Sequence, residues 1–173
     1  MRVSKFIFLT ILISILGLTI YYFYPEDKIP AGVNIDNLVV YKSKRLLYAY
    51  SGDNLIKKYK ISLGKSPVGK KLKFKDHKTP EGVYRIFNKK ANSKYRKSLD
   101  VSYPYQFDGS LLDGIAKNAG DGIEIHGIQN GLGFVGKFQR WYDWTDGCLA
   151  LTDSEIDGLY RSVKIGTRIE INP

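Results

Sequence analysis

The sequence predicts a mainly β fold, a β-sandwich or partly closed barrel with one or two short helices, preceded by an N-terminal membrane helix. Three observations support this prediction. Apolar and polar residues alternate in several short stretches from Ile35 onward, as in half-buried strands. Turn residues separate these stretches, for example at residues 51–54. An uncharged apolar run stands apart at residues 6–23.

The apolar run predicts an uncleaved membrane anchor over residues 1–25. As a helix, residues 6–23 span about 27 Å, enough to cross the hydrocarbon core of a bilayer. Arg2 and Lys5 precede the run and aromatic residues end it, which places the N-terminus in the cytoplasm. A cleaved signal peptide is the alternative, but Tyr-Tyr-Phe-Tyr-Pro follows instead of small residues. We therefore expect a single-pass protein of the inner (cytoplasmic) membrane, with its domain on the periplasmic, extracytoplasmic side.

The rest of the chain divides into a Pro/Gly linker, residues 26–34, and one domain, residues 35–173. The first half of the domain predicts an antiparallel meander. Its strands are expected at residues 38–41, 45–50, 55–63, 83–87 and 98–103, with a basic loop at residues 64–80.

The second half of the domain mixes short helices with strands. A short helix is expected at residues 108–118, a strand at 122–126, a glycine-containing loop at 127–140 that could cover a site, and a strand at 149–151. Thr152 and Glu155 have capping-box spacing and predict a helix through Val163, closed by Gly166. The last strand is expected at residues 167–171.

The net charge is +10, and lysines concentrate at residues 65–78 and 89–97. A basic surface outside the cytoplasm suits anionic polymers or membrane headgroups, although a solvated, solubilising surface explains it equally well. Nucleic acid is not an expected partner on the far side of a membrane. The oligomeric state is not determined by these patterns.

The chain has one cysteine, Cys148, and two histidines, His77 and His126. One cysteine cannot form an internal disulfide, and a free thiol in an oxidising compartment indicates that the thiol is used. His126 ends one predicted strand and Cys148 precedes another, so the imidazole could take the thiol's proton. A buried cysteine beside a structural histidine is the alternative interpretation.

The surroundings of Cys148 and His126 suggest further roles. Backbone N–H groups of Gly147 and Cys148 are natural donors to an oxyanion. No acidic residue is obviously placed to orient His126, so we expect a backbone carbonyl to do so. Trp144 either packs in the core or forms a wall of the substrate cleft. No metal or other cofactor is expected, because Cys148, His126 and Asp121 lack the spacing of zinc ligands.

Two motifs carry a family resemblance. Ile125-His126-Gly127 followed by Thr145-Asp146-Gly147-Cys148 resembles the signature of the L,D-transpeptidase catalytic domain, the YkuD-like family. Supporting stretches lie in the expected order at residues 78–84 and 99–104. The resemblance covers roughly residues 37–173.

The resemblance implies an enzyme that acts on peptidoglycan stem peptides, at the bond between diaminopimelate and terminal D-alanine. Cys148 would form a thioester, His126 would act as the base, and an amine would take the acyl group. The Gly147 and Cys148 amides would form the oxyanion hole. The expected substrate-binding residues are Thr145, Asp146, Gly127, Trp144 and Tyr103.

The chain departs from the family pattern at two positions. Asp146 stands where the family usually has a second histidine, and Ala150 stands where asparagine or arginine is common. A carboxylate facing the sulfur would oppose thiolate formation, so we expect Asp146 to point towards an incoming ammonium group or to bond local backbone N–H groups. Two other functions stay open: a hydrolase with the same Cys–His site, and a non-catalytic wall-binding domain.

Overall fold

The computed structural model describes residues 2–112, 120 and 122–173, with side chains from residue 4 onward. Its helices and strands, in chain order, are α1 Arg2–Phe23, β1 Ile35–Tyr41, β2 Leu46–Ser51, β3 Asn54–Lys60, β4 Gly82–Ser93, β5 Arg96–Val101, β6 Glu124–His126, β7 Leu149–Ala150, α2 Asp153–Ser162 and β8 Val163–Asn172. Two 3-10 helical segments, η1 Lys42–Lys44 and η2 Gly133–Trp141, complete the described elements.

The strands form one sheet in the order β3-β2-β1-β8-β4-β5-β6-β7. The β1–β8 and β6–β7 pairs are parallel and the others are antiparallel. Beyond β3 the chain reaches the opposite edge, where Ser62 bridges Ala150 and Gly64 bridges Thr145. The two edges of the sheet therefore meet beside β7. This arrangement is the partly closed barrel of the prediction, with one curved sheet instead of two stacked ones.

The core lies inside this curved sheet and follows the alternation seen in the sequence. Leu38 and Val40 of β1 and Tyr84 and Ile86 of β4 are fully buried, while the residues between them are more exposed. Burying one such side chain contributes about 1.5–3 kcal/mol relative to leaving it in water. A slip of one residue in β6 or β7 would turn its inward side chains outward. The burial of the core therefore also fixes the register of these two strands.

The helix α2 covers one face of the sheet and begins as the sequence predicts. The Glu155 carboxylate accepts hydrogen bonds from the backbone N–H of Thr152 at 3.1 Å and from its hydroxyl at 2.8 Å. The helix ends at Ser162, and Val163 already belongs to β8, which continues through Gly166. The predicted helix end at Val163 is therefore one residue too late, and Gly166 lies within β8 instead of closing the helix.

Several predicted bounds differ from the observed ones. The hairpin of β4 and β5 extends to Ser93 and resumes at Arg96, well beyond the predicted strand ends. The loop predicted at residues 127–140 contains η2 instead of irregular chain. The helix predicted at residues 108–118 falls mostly outside the described residues, and its described part, residues 108–112, is a turn with a single bridge from Tyr105 to Leu111.

The helix α1 contains a candidate membrane span at Ser4–Phe23, with a mean hydropathy of 2.3 and no part of that window buried against the domain. Its length and composition suit a membrane anchor, and a signal sequence would have the same properties. Residues 26–34, the predicted linker, contain no helix or strand.

Candidate active site

The parallel strands β6 and β7 bring His126 and Cys148 to the same face of the sheet. His126 lies opposite Ala150 and Ile125 lies opposite Leu149. Cys148 immediately precedes β7, so it is the diagonal neighbour of His126. Side chains alternate along a strand, so Cys148, Ala150 and His126 share one face. Diagonal neighbours in a sheet are about 7–8 Å apart at the backbone, within reach of an imidazole ring.

The His126 imidazole is buried and held by its own backbone. Its Nδ1 lies 2.7 Å from the carbonyl oxygen of Gly127. A carbonyl can only accept, so Nδ1 carries the hydrogen and Nε2 keeps its lone pair. Burial lowers the pKa of His126 to about 4, although the bond to Gly127 opposes this shift. The ring is therefore a neutral base at physiological pH, oriented by a backbone carbonyl as the sequence predicts.

Two aromatic rings fix the plane of the imidazole. The ring of Tyr95 lies 4.5 Å from that of His126, and the ring of Trp144 lies 5.7 Å away in an edge-on arrangement. Trp144 Nε1–H donates to Oε1 of the buried Gln139 at 2.9 Å. Trp144 thus packs on the base. Sequence reasoning missed both residues, because neither belongs to a motif: Tyr95 reaches the site from a distant turn of the chain, and Gln139 is only five residues from Trp144.

The Cys148 thiol is partly exposed and protonated at neutral pH. Its Sγ lies 3.5 Å from the carbonyl oxygen of Gly122. Burial raises the pKa of Cys148 to about 11, and the negative charges of Glu124 and Asp146 act in the same direction. A hydrogen bond from the Glu124 backbone and the positive charge of Lys71 oppose that rise. With the imidazole neutral as well, the resting site does not hold a thiolate–imidazolium ion pair.

The rate of alkylation of Cys148 by iodoacetamide should rise about tenfold per pH unit from pH 6 to pH 9 without levelling off. The reason is the raised pKa of the thiol, because only the thiolate reacts and its fraction grows until pH approaches that pKa. Cys148 is the only cysteine, so mass spectrometry of the intact protein reports this site alone. A plateau of the rate near neutral pH would contradict the account.

The turn before Cys148 is closed by Thr145. Its hydroxyl donates to the Cys148 carbonyl at 2.8 Å and accepts from the Gly147 N–H at 3.1 Å. The Gly147 N–H is therefore bonded within the turn, and its expected role in an oxyanion hole stays a prediction. Gly147 has φ of +130°, and a Cβ there would lie 2.6 Å from the backbone oxygen of Lys78. Glycine is therefore required by backbone conformation and by close packing.

Gly147→Ala should destabilise the fold by more than about 2 kcal/mol, because it combines a strained φ with a backbone clash. The matched control is Gly158→Ala in α2, where a Cβ meets nothing within 4 Å. That change should stabilise by about 0.5–1 kcal/mol through helix propensity. Chemical denaturation of both variants measures the difference. Equal stabilities would show that the turn relaxes freely.

Two of the expected substrate-binding residues lie in closely packed surroundings. A Cβ at Gly127 would lie 2.8 Å from Asp153 Oδ1 and 2.9 Å from Ile156, so Gly127 permits close contact with α2. Tyr103 is 3% exposed, and its hydroxyl donates to the Lys71 carbonyl at 3.2 Å. The structure shows the burial of Tyr103 and the close packing at Gly127, while contact of either residue with substrate stays a prediction.

Asp146 is 73% exposed and holds two side chains of the basic segment, residues 64–80. Its Oδ1 lies 3.0 Å from Lys65 Nζ and 2.9 Å from His77 Nδ1. The hydrogen bond from Lys65, joined by that from His77, lowers the pKa of Asp146. Asp146 therefore bonds side chains, not the backbone N–H groups expected in one interpretation. The contact with His77 could not be predicted from the sequence, because the two residues are far apart in the chain.

The backbone of the basic segment also runs along the turn at residues 145–148. Lys65 N–H donates to the Thr145 carbonyl, and Ser66 N–H donates to the His77 carbonyl, each at 3.0 Å. A Cβ at Gly64 would lie 2.9 Å from the Cα of Gly147, so the two glycines pack backbone to backbone. Among the described residues, no group of three His, Cys, Asp or Glu side chains is placed to hold a metal ion. Asp121 lies outside the described residues.

These features define a mainly β protein with a cysteine and an oriented, neutral histidine on adjacent strands, the residue types that nucleophilic catalysis through sulfur uses. A family model described as the L,D-transpeptidase catalytic domain (YkuD) matches residues 36–171. The chain belongs to this family, as the motifs in its sequence suggest.

Solved structures of proteins from several bacteria share this fold. The helical cell shape determining protein Pgp2 from Campylobacter jejuni is 21% identical, with a TM-score of 0.57 over 84% of this chain and 51% of that chain. Bd1075 from Bdellovibrio bacteriovorus is 23% identical, with a TM-score of 0.52 over 83% and 50%. An L,D-transpeptidase from Mycobacterium smegmatis is 13% identical, with a TM-score of 0.53 over 79% and 58%.

At these identities the solved structures show the fold. This chain spans about half the length of the first two proteins. No curated protein matches its sequence.

Proposed function

We propose that this protein is a peptidoglycan L,D-transpeptidase that works through a thioester on Cys148. The thiol attacks the diaminopimelate carbonyl of a stem peptide, and His126 Nε2 takes its proton. The proton then passes to the departing D-alanine amine, and an amine of a second stem peptide releases the acyl group from sulfur. The observation that carries this proposal is the orientation of the buried His126. Its Nδ1 donates to the Gly127 carbonyl, and its side chain shares one face of the sheet with Cys148.

The resting protonation states favour proton transfer during attack, not before it. Transfer of a proton from the thiol, whose pKa is about 11, to the imidazole, whose pKa is about 4, is unfavourable in the resting site. A thiolate formed in advance would therefore be scarce. If the sulfur bonds to the carbonyl as the proton leaves, the negative charge moves to the carbonyl oxygen, where backbone N–H groups can stabilise it.

The proposed location matches the substrate. The helix α1 would anchor the chain in the inner membrane with the domain on the extracytoplasmic side, where peptidoglycan lies. The net charge of +10 suits an anionic wall polymer. A lone thiol in that compartment also has a use in this mechanism.

Mass analysis of products from purified stem tetrapeptides tests the proposal and separates it from its alternatives. Cross-linked peptide with released D-alanine indicates transfer, as we expect. Free tripeptide with released D-alanine indicates a hydrolase with the same site. Unchanged tetrapeptide, with the protein still bound to peptidoglycan, indicates a non-catalytic wall-binding domain.

Asp146→Asn should speed alkylation of Cys148 several-fold at pH 8, because it removes a negative charge that raises the thiol pKa. The ratio of transfer to hydrolysis should stay within about twofold, since Lys65 and His77 already engage the carboxylate. Lys65→Met is the matched control, and its loss of positive charge should slow alkylation. A tenfold fall in the transfer ratio of Asp146→Asn would instead assign Asp146 to the acceptor amine.

A further inference from the structure

Large apolar side chains are exposed on η2 and just beyond it, next to the end of α1. We call this set the aromatic patch, and its members are Leu132, Phe134, Trp141 and Tyr142. Phe134 is 73% exposed and Trp141 is 61% exposed. Phe23 and Tyr24, at the end of α1, are exposed beside the patch. Water-facing aromatic residues in such a cluster indicate a surface that contacts something apolar.

The last turn of α1 is bound directly to η2. The ring of Tyr21 lies 5.9 Å from that of Phe138 and 6.0 Å from that of Trp141. The Tyr22 hydroxyl donates to the Phe134 carbonyl at 2.8 Å. These contacts fix the position of η2 relative to the end of the helix.

Gly136 and an ion pair strengthen this attachment. Gly136 has φ of +51°, and a Cβ there would lie 2.8 Å from the Tyr22 ring, so only glycine allows the ring to approach η2 this closely. Just after the helix, Glu26 accepts from the Arg140 guanidinium of η2 at 2.6 Å and 2.9 Å. The helix end and η2 therefore form one unit instead of two parts joined by a free linker.

The depth of η2 in a membrane follows from these contacts. A helix over the 20 residues of Ser4–Phe23 is about 30 Å long, the thickness of the hydrocarbon core. Its last turn then lies at the interface between lipid and water, and η2 is held at the same depth. Tryptophan and tyrosine favour this interface, because their rings are apolar and their N–H or O–H groups remain hydrated.

We propose that the aromatic patch inserts into the headgroup region of the outer leaflet and holds the catalytic domain at the membrane surface. This inference rests on the proposed role of α1 as an anchor. A lipid surface is favoured over a protein partner as the occupant, because the contacts with α1 already place the patch against lipid. Binding of a protein to the patch would require α1 to leave either the membrane or η2.

The aromatic patch is connected through η2 to His126, the proposed base. Gln139 of η2 accepts the hydrogen bond of Trp144, whose ring packs on His126. The Gln139 backbone oxygen also accepts from the Ser62 hydroxyl at 2.7 Å, on the segment that closes the barrel. The active site is thus held close to the membrane, which favours stem peptides in the wall layer nearest to it.

The two tryptophans of the chain allow a direct test. Full-length Trp144→Phe and Trp141→Phe are each inserted into phosphatidylglycerol/phosphatidylcholine vesicles whose acyl chains are brominated near the headgroup. Trp144→Phe keeps only Trp141, and Trp141→Phe keeps only Trp144. Bromine quenches tryptophan fluorescence on contact, so the emission of Trp141 should fall at least about twofold more than that of Trp144. A Phe134→Ser change added to Trp144→Phe should reduce this quenching, since the patch then binds lipid less well.

Each outcome has a defined meaning. If the two tryptophans are quenched equally in protein that floats with the vesicles, the insertion of the aromatic patch is overturned. The role of α1 as an anchor is then unaffected. Failure of the protein to float with vesicles overturns both. Neither result depends on turnover of stem peptides, so the proposed activity is tested separately.

Discussion

Cys148→Ala is expected to lose acyl transfer completely, by at least about 10⁴-fold in turnover, because no other nucleophile of the chain takes its place. The fold should survive, since the thiol is small and only partly buried. Turnover of stem tetrapeptide and thermal unfolding, measured on the same preparation, separate the two effects.

Cys148→Ser is the matched variant, because it keeps the size of the side chain and its place beside Gly122. It should be nearly as inactive, since a base whose pKa is about 4 cannot readily deprotonate an alcohol. Residual turnover of Cys148→Ala within tenfold of the parent protein would remove Cys148 from the mechanism.

His126→Gln is expected to lower turnover by about 10²–10⁴-fold at pH 7 and to recover part of it at higher pH. The amide cannot accept the thiol's proton, but hydroxide can form the thiolate as pH approaches the thiol's pKa of about 11. A pH series of turnover on both proteins measures the recovery. A deficit that stays constant from pH 7 to pH 10 would indicate that His126 has only a structural role.

The buried imidazole also predicts a dependence of stability on pH. The folded pKa of His126, about 4, lies below the ordinary value of 6.5, so the unfolded chain binds a proton first as pH falls. The free energy of unfolding should therefore drop by up to about 3 kcal/mol between pH 6.5 and pH 4. This part of the drop should be absent in His126→Gln and present in the control His77→Gln.

The sequence predicts the parts of the site that are close together in the chain. The Thr145–Cys148 turn, the Thr152–Glu155 cap and the alternation that buries the core are local patterns, and the structure contains them. The single thiol and the histidine-glycine motif point to the two groups of the proposed mechanism without any knowledge of their pairing. The succession of short strands predicts a sandwich or a partly closed barrel, and the strand order of the structure decides for the barrel.

Contacts between distant segments could not be predicted in this way. Tyr95 reaches the imidazole from the β4–β5 turn, and His77, which belongs to the basic segment, reaches Asp146. Such contacts depend on how the sheet closes, which no short motif records. Tyr103 shows another limit, because a family motif predicts that it binds substrate but does not predict that its side chain is buried in the core.

Intact-protein mass spectrometry after brief mixing with stem tetrapeptide tests the central claim most directly. The account predicts an adduct on Cys148 whose mass is that of the donor without its terminal D-alanine. The adduct should disappear when an acceptor amine is added and should be absent from Cys148→Ala. If unmodified protein persists while D-alanine is released, the thioester mechanism is contradicted.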